Sequence, residues 1–183
     1  MHAPPDEPEI MEAVLDEYEK LKQEGKIRCI GASIKGPSVT PATPALARQY
    51  IDSGRIDVLQ MVYSIFRQMN LDVFEYALEK GVGIVARTAL ESGFLGGKYR
   101  PGHQFTTGHR SLYPPERQEI LLKSMEQIEK KAVKAPFETI AQVAVKFSTA
   151  PETVSTLIVG ARTAEQINQL RHTMSLPELD QDL

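Results

Sequence analysis

The segment from Val82 to Tyr99 reads VGIVARTALESGFLGGKY, and it decides the fold. Its first part, Val82–Thr88, is a short apolar run with the length of a buried strand. Its second part is rich in glycine and opens a stretch without periodicity that continues to about Glu116. A predicted helix, Leu71–Lys80, precedes the strand, and Gly81 ends that helix. A helix, a buried strand and a long polar loop in this order are typical of a parallel sheet with a ligand site at its strand ends.

Alternating helical and strand patterns extend through the whole chain. The predicted strands are Ile27–Ser33, Val58–Tyr63, Val82–Thr88 and Val154–Val159. A proline-rich loop at Gly36–Pro44 leads into a predicted helix that carries Leu46, Tyr50 and Ile51. The predicted helix Leu71–Lys80 has Val73, Phe74, Ala77 and Leu78 on one face. The other predicted helices are Glu9–Glu24, Arg117–Lys134, Glu138–Thr149 and a last one from Thr163. Such units predict an α/β fold of parallel strands joined by right-handed crossovers.

Periodicity alone fits two architectures equally well: an open doubly wound sheet and part of a (β/α)8 barrel. A complete barrel runs to about 250 residues and eight units. This chain has 183 residues and four predicted units. The chain length therefore discriminates only weakly between the open sheet and the partial barrel.

Composition excludes several classes of protein. At 42% hydrophobic and 25% charged residues, the chain has the make-up of a globular domain, and we expect one domain. Its longest apolar runs fall far short of the ~20 residues of a membrane-spanning helix, and its first residues lack the pattern of a secretory signal, so we expect a cytoplasmic protein. A net charge of −3 argues against nucleic acid or an anionic membrane as a partner. The single cysteine, Cys29, permits no internal disulfide or cysteine-rich metal site, and we expect it to be packed in the interior.

The four strand ends carry glycine and polar residues, where parallel α/β proteins bind their ligands. They read GAS at residues 31–33, QMVYS at 60–64, ARTALESGFLGGKY at 86–99 and GARTAEQ at 160–166. Together with Lys22–Ser33, these segments resemble the aldo-keto reductases, and the likeness extends from His2 to about Leu179. The resemblance implies that residues 1–183 form a single C-terminal half of an NADP-dependent (β/α)8 barrel, with a long lid loop at residues 89–116.

The resemblance also implies a set of cofactor-binding residues. Ser33 and Gln60 match positions that bind the nicotinamide carboxamide, and Arg87 takes the place of an aromatic residue against the nicotinamide ring. The glycine-rich loop Leu90–Lys98 matches the segment over the pyrophosphate, and Arg162 matches a position that meets the 2′-phosphate, which favours NADP(H) over NAD(H). The full implied set is Ser33, Gln60, Arg87, Thr88, Leu90, Ser92, Lys98, Gly160, Arg162 and Gln166.

Several positions depart from the family pattern or permit a simpler interpretation. Ile34 stands where an Asn usually follows Ser33, and Gln169 and Leu170 stand where Glu and Asn are common. From the residues alone, Gln60 fits a hydrogen-bonded interior amide and the glycine-rich loop fits a solvated loop. Thr163-Ala164-Glu165-Gln166 has the form of a helix capping box, a role that is compatible with cofactor binding. Arg110, farther along the lid, is a weaker candidate for a contact with the dinucleotide.

Of the four catalytic residues in the family, only the His has a counterpart here, His2. The family's Asp, Tyr and Lys belong to the half of the barrel that precedes these units. The first hypothesis is therefore an oxidoreductase that transfers hydride to the carbonyl of an aldehyde or ketone once a further half completes it. The alternatives are a non-catalytic NADP(H)-binding or assembly module, an inactive truncated gene product, and a half-barrel that binds phosphate without nicotinamide.

A half-barrel leaves two strand edges open to pairing, Ile27–Ser33 and Val154–Val159. We therefore expect an edge-paired homo-oligomer or a separate N-terminal half as partner. A small carbonyl compound is the expected substrate of the completed enzyme.

Overall fold

A computed structural model describes residues 1–34 and 42–180 and confirms the α/β fold. Four parallel strands form one sheet in the order β1-β2-β3-β4. They are β1 Gly31–Ser33, β2 Val58–Val62, β3 Gly83–Arg87 and β4 Val154–Ile158. The α-helices are α1 Pro8–Gln23, α2 Ala42–Asp52, α3 Leu71–Glu79, α4 Pro115–Ala132, α5 Ile140–Thr149 and α6 Ala164–Ser175, and short 3₁₀ helices span Glu91–Gly96 and His109–Leu112. Most of the predicted proline-rich loop 36–44 lies outside the described residues.

The chain divides into two compact units. The first unit comprises the described residues of Met1–Tyr63, Arg67–Arg87 and Pro151–Ile158, and contains the sheet and helices α1 to α3. The second unit comprises the described residues of Ser64–Phe66, Thr88–Ala150 and Val159–Leu183, and contains both 3₁₀ helices and α4 to α6. That residues 1–183 form a single domain stays a prediction.

In the first unit, side chains of the sheet alternate between a buried face and a half-buried face. Ala32, Leu59 and Ile84 are almost completely buried, whereas their neighbours Ser33 and Gln60 are half-buried. Strand geometry sends successive side chains to opposite faces, so the apolar residues share one face and the polar ones the other. The fold thus places the polar residues of β1 and β2 on one side of the sheet.

Strand β1 is shorter than the predicted strand Ile27–Ser33. The N–H group of Ile27 donates to the carbonyl of Leu21, which turns the chain back against the end of α1. Only from Ile30 does pairing with the next strand begin, where the Asp57 carboxylate accepts the Ile30 N–H at 2.7 Å. A hydrogen bond from Lys22, together with that N–H, holds the pKa of Asp57 below its ordinary value. The expectation that Cys29 is packed in the interior is wrong: Cys29 is exposed because residues 27–29 do not join the sheet.

The helices agree with the predicted pattern except at Leu78. Val73, Phe74 and Ala77 are fully buried, whereas Leu78, expected on the same face, is 56% exposed. Leu78 lies at the edge of the buried stripe, one residue before the last residue of α3. None of the helices in the described part of the chain combines the length and apolar character that a membrane crossing requires.

The second unit has its own apolar core, which contains residues of the lid and of helices α4 and α5. Phe94 and Leu95 from the glycine-rich loop pack in one cluster with Leu122 of α4 and Ile140 of α5. The side chain of Lys146 is only 2% exposed, and its ammonium group is paired with Glu178 at 2.6 Å. The glycine-rich loop is therefore a packed element of this unit, anchored by its own apolar side chains.

Candidate functional site

Three of the predicted site residues share one row of the sheet. His2 forms a parallel bridge with Ser33, and Ser33 is the register partner of Gln60. The Ser33 hydroxyl and the Gln60 Oε1 atom are 3.3 Å apart and hydrogen-bonded. The N-terminal segment is tied to β1, since the Ser33 N–H donates to the carbonyl of Met1 at 2.8 Å. His2 is exposed, Ser33 and Gln60 are half-buried, and the row therefore has a polar face that a ligand can reach.

Arg87 lies at the carboxyl end of β3, opposite Val62 in the register. Its guanidinium Nη2 donates to the carbonyl of Ile34 at 3.0 Å, next to Ser33 in the chain. Burial lowers the pKa of Arg87, and the charge of Arg67 adds to this effect. The first unit thus brings four sequence-predicted residues, His2, Ser33, Gln60 and Arg87, to one end of the sheet.

The glycine-rich loop of the second unit has an unusual backbone. Glu91 and Ser92 adopt left-handed φ angles of 47° and 54°, and Gly93 follows at 93°. Thr88 at the start of the loop has φ 71°. Residues other than glycine pay a conformational cost in this region, so other contacts must hold the loop in place.

A buried carboxylate supplies one of these contacts. Glu91 is 3% exposed, and the Ser64 hydroxyl is hydrogen-bonded to its Oε1 atom. The same Ser64 oxygen accepts the N–H of Phe66 at 3.2 Å. Sequence reasoning placed Ser64 at a strand end but gave no role to Glu91, whose burial becomes visible only in three dimensions.

A cavity of about 510 Å³ opens in the second unit. Three predicted cofactor residues line it: Leu90 from the glycine-rich loop, and Gly160 and Gln166 from the segment that leads into α6. The other lining residues come from the glycine-rich loop and from α5, α6 and the segment before α5, and are Gly96, Glu138, Thr139, Ala141, Gln142, Glu165, Asn168, Gln169, Leu170, His172 and Thr173. The geometry therefore joins two segments that are about 70 residues apart in sequence.

Four other predicted residues of this unit do not line the cavity: Thr88, Ser92, Lys98 and Arg162. Lys98 is exposed, with its Nζ atom 5.6 Å from the ring centroid of Tyr99. Arg162 is exposed, two residues after Gly160, a lining residue. Ser92 is half-buried, and its carbonyl accepts a hydrogen bond from Arg110.

The predicted capping box at the start of α6 forms only in part. The Thr163 hydroxyl accepts the Gln166 N–H at 3.2 Å, as a capping box requires. The Gln166 Oε1 atom, however, accepts the N–H of Arg162 at 2.7 Å. Gln166 thus bonds to the residue before the cap while its side chain lines the cavity.

A complete capping box that sequence reasoning missed opens α5. Thr139 accepts the N–H of Gln142, and the Gln142 Oε1 atom accepts the N–H groups of Thr139 at 3.2 Å and Glu138 at 2.7 Å. The signal was present, since Thr-Ile-Ala-Gln at residues 139–142 has the same form as Thr-Ala-Glu-Gln at 163–166. Both boxes border the cavity.

The whole chain matches the profile of one family. The profile described as "Aldo/keto reductase family" covers residues 1–183. The chain belongs to this family. Among solved structures, an aldo-keto reductase of Bacillus halodurans in its holo form aligns with 99% of the chain and 54% of its own, at a TM-score of 0.74 and 21% identity. A glycerol dehydrogenase of Gluconobacter oxydans aligns with 95% of the chain and 57% of its own, at a TM-score of 0.65 and 22% identity.

Curated relatives of this aldo-keto reductase chain include two enzymes. An L-galactose dehydrogenase of Arabidopsis thaliana is 28% identical over 163 residues, which make up 88% of the chain and 46% of that protein. A protein of Escherichia coli described as "NADH-specific methylglyoxal reductase" is 28% identical over 165 residues, or 86% of the chain and 46% of that protein. The chain thus spans about half the length of the curated relatives it matches. Membership in an oxidoreductase family that uses nicotinamide cofactors is established.

Proposed function

We propose that this chain binds a nicotinamide adenine dinucleotide and that the cavity of the second unit takes its adenosine end. One observation carries this proposal: Leu90, Gly160 and Gln166, assigned to the cofactor from sequence, line a single cavity. Its volume of about 510 Å³ lies within the range of small-molecule sites.

The chemistry of the cavity wall fits a nucleoside. Its amide side chains, which both donate and accept hydrogen bonds, are Gln142, Gln166, Asn168 and Gln169. Leu90 and Leu170 add apolar surface that suits the faces of a purine ring. Leu170 stands in place of the Asn common in the family, so we propose that apolar contact replaces a hydrogen bond to the base.

Residues of the first unit are proposed to hold the nicotinamide end. Gln60 and the Ser33 hydroxyl match the donors and acceptors of a carboxamide, and their mutual hydrogen bond fixes their orientation. Arg87 is proposed to stack its guanidinium plane on the ring. Its bond to the Ile34 carbonyl holds that plane at the carboxyl end of β3.

When bound, the reduced dinucleotide supplies a hydride to a carbonyl carbon. His2 is proposed to orient the carbonyl oxygen, because its bridge to Ser33 places it in the row of the nicotinamide residues. The proton donor expected in this family, a Tyr assisted by Lys and Asp, has no assigned counterpart among residues 1–183. Reduction of an aldehyde or ketone is therefore proposed for this chain when it is completed by a segment that carries those three residues.

Binding and turnover are separable by experiment. Titration with NADPH and NADH, followed by nicotinamide fluorescence, tests binding, and oxidation of the reduced dinucleotide on addition of methylglyoxal, an aldehyde substrate probe, tests turnover. Binding without oxidation would favour the non-catalytic NADP(H)-binding module, and restored oxidation on mixing with a family N-terminal half would favour the enzyme. Absence of binding to either dinucleotide would contradict the proposed function and leave an inactive product.

Arg162 is proposed to select NADP(H) over NAD(H). Arg162 is exposed and follows the lining residue Gly160 by two positions, and a guanidinium matches a phosphate with two parallel hydrogen bonds. We expect Arg162→Ala to weaken NADPH binding about tenfold while NADH affinity stays within about twofold. The matched control is Arg171→Ala, which removes another exposed arginine from the same segment. Equal loss of affinity for both dinucleotides would contradict the assignment.

The β4 edge of the sheet is proposed to pair with another strand. β1 and β4 are the outer strands. The prediction that both edges are open is wrong for β1, because the Met1–Ala3 segment already bonds to its backbone. The β4 edge is the one proposed to pair, and Ser155, Thr156 and Ile158 of β4 are exposed. An exposed edge presents N–H and C=O groups that a further strand can bind. Sedimentation of the purified chain tests this proposal, with a dimer or larger species expected and a stable monomer as the contrary result.

A further inference from the structure

Arg110 is held in the lid by two aromatic rings. Its guanidinium carbon lies 4.9 Å from the ring centroid of Tyr99 and 4.6 Å from that of Phe105. The two rings are in edge contact at 4.7 Å, so they form one aromatic surface for the guanidinium. From this position, the Nη1 atom donates to the carbonyl of Ser92 at 3.0 Å. Arg110 thus links the distal part of the lid to the glycine-rich loop.

This hydrogen bond falls on the peptide between Ser92 and Gly93, where the backbone is left-handed. The Gly93 N–H donates to the carbonyl of Leu90 at 2.7 Å, so the same peptide plane is fixed at both ends. A Cβ atom at Gly93 would lie 2.6 Å from Arg110 Nη1, so any other residue there would displace the guanidinium from its present position. The guanidinium therefore occupies the space that glycine provides and fixes the orientation of the plane.

The segment that carries Arg110 is itself anchored to α4. Gln118, 4% exposed, accepts the N–H of Phe105 at 2.9 Å and donates to the carbonyl of Tyr113 at 2.8 Å. Glu119 accepts the N–H of Gly102 at 2.7 Å. The backbone around Arg110 is therefore anchored to α4, and the hydrogen bond from Arg110 connects this anchored segment to Ser92.

We propose that Arg110 is a positioning residue for dinucleotide binding: it sets the Ser92–Gly93 peptide plane and, through the bond of the Gly93 N–H to Leu90, the cavity wall at Leu90. This inference rests on the proposed function, since it assigns the cavity to the dinucleotide. Arg110 acts on backbone rather than on a phosphate of the ligand. Lysine cannot replace it, because an ammonium lacks the planar fork that stacks on a ring while it donates to a carbonyl.

The test combines a ligand-free measurement with a binding measurement on the full chain. Arg110→Ala and Arg110→Lys are compared with Arg117→Ala, which removes an exposed arginine stacked on Tyr113, another ring of the lid. Hydrogen exchange reports the Gly93 and Leu95 amides, both of which donate to Leu90. Fluorescence titration reports the dissociation constant for NADPH.

We expect both Arg110 variants to exchange the Gly93 and Leu95 amides at least tenfold faster and to bind NADPH about tenfold more weakly, with Arg117→Ala unchanged in both. Free guanidinium ion at low millimolar concentration should slow the exchange again in Arg110→Ala. The inference would be overturned if folded Arg110→Ala kept the wild-type exchange rates and the wild-type NADPH affinity. It would also be overturned if Arg110→Lys kept both. If the wild-type chain binds no dinucleotide, the proposed function fails, whereas unchanged exchange at Gly93 refutes the positioning of the loop.

Discussion

Two helices of the second unit begin with the same motif and use it differently. α5 starts at Thr139-Ile140-Ala141-Gln142 and α6 at Thr163-Ala164-Glu165-Gln166. In both, the threonine hydroxyl accepts the N–H of the glutamine at 3.2 Å. The glutamines differ: the Gln142 oxygen accepts two backbone N–H groups, and the Gln166 oxygen accepts one.

Burial separates the two helix starts. Gln142 is 8% exposed and is followed by Val143 and Ala144, which belong to the apolar core of the unit. Gln166 is exposed, with Glu165 and Ile167 exposed beside it. A cap in the core satisfies groups that water cannot reach, whereas a cap at the surface competes with water. We infer that the first box is mainly structural and that the second leaves a side chain available to a ligand.

The largest expected effect is on stability, from Gln142→Ala. The substitution leaves the N–H groups of Glu138 and Thr139 without their acceptor in a partly buried site, and we expect a loss of about 2 kcal/mol in the free energy of unfolding. Gln166→Ala should cost less than about 0.5 kcal/mol, because water replaces the lost bond. Urea unfolding followed by circular dichroism measures both variants.

Gln127→Ala serves as the matched control in this series. Gln127 is an exposed residue of α4, so its removal reports the cost of losing a surface glutamine from a helix. If the Gln142 and Gln166 variants unfold at the same urea concentration, the distinction between the two helix starts is wrong.

Much of the fold was predictable because it depends on local patterns. Short apolar runs and the glycines and polar residues between them predicted the four parallel strands, and their order follows from short connections. The length of β1 and the exposure of Cys29 were not predictable in this way. Both accompany contacts between residues that are apart in sequence: the Ile27 N–H bonds to the Leu21 carbonyl, and the Ile30 N–H bonds to the Asp57 carboxylate, 27 residues away.

The candidate site likewise has residues that local sequence patterns predict and contacts that only long-range packing creates. Strand ends and the family resemblance pointed to Ser33, Gln60 and Leu90, positions fixed by the sheet and its loops. The supporting contacts were missed because long-range packing creates them: Gln118 bonds to the backbone of the lid, and Arg110 bonds to the carbonyl of Ser92. That Arg110 contacts the dinucleotide stays a prediction. No spacing in the sequence predicts that a guanidinium fills the space beside a glycine.

A smaller effect than that of Gln142→Ala on stability, and the one that sharpens the comparison most, is expected on ligand affinity. Gln166 lines the cavity with one oxygen lone pair engaged by the Arg162 N–H, and its amide group is expected to donate to the adenosine ribose. We expect Gln166→Ala to weaken NADPH binding about threefold to tenfold, the value of one hydrogen bond, without a change in the urea midpoint. Fluorescence titration measures the affinity, with Gln127→Ala again as control. An unaltered dissociation constant would show that Gln166 does not contact the dinucleotide. Both helix starts would then have a structural role only.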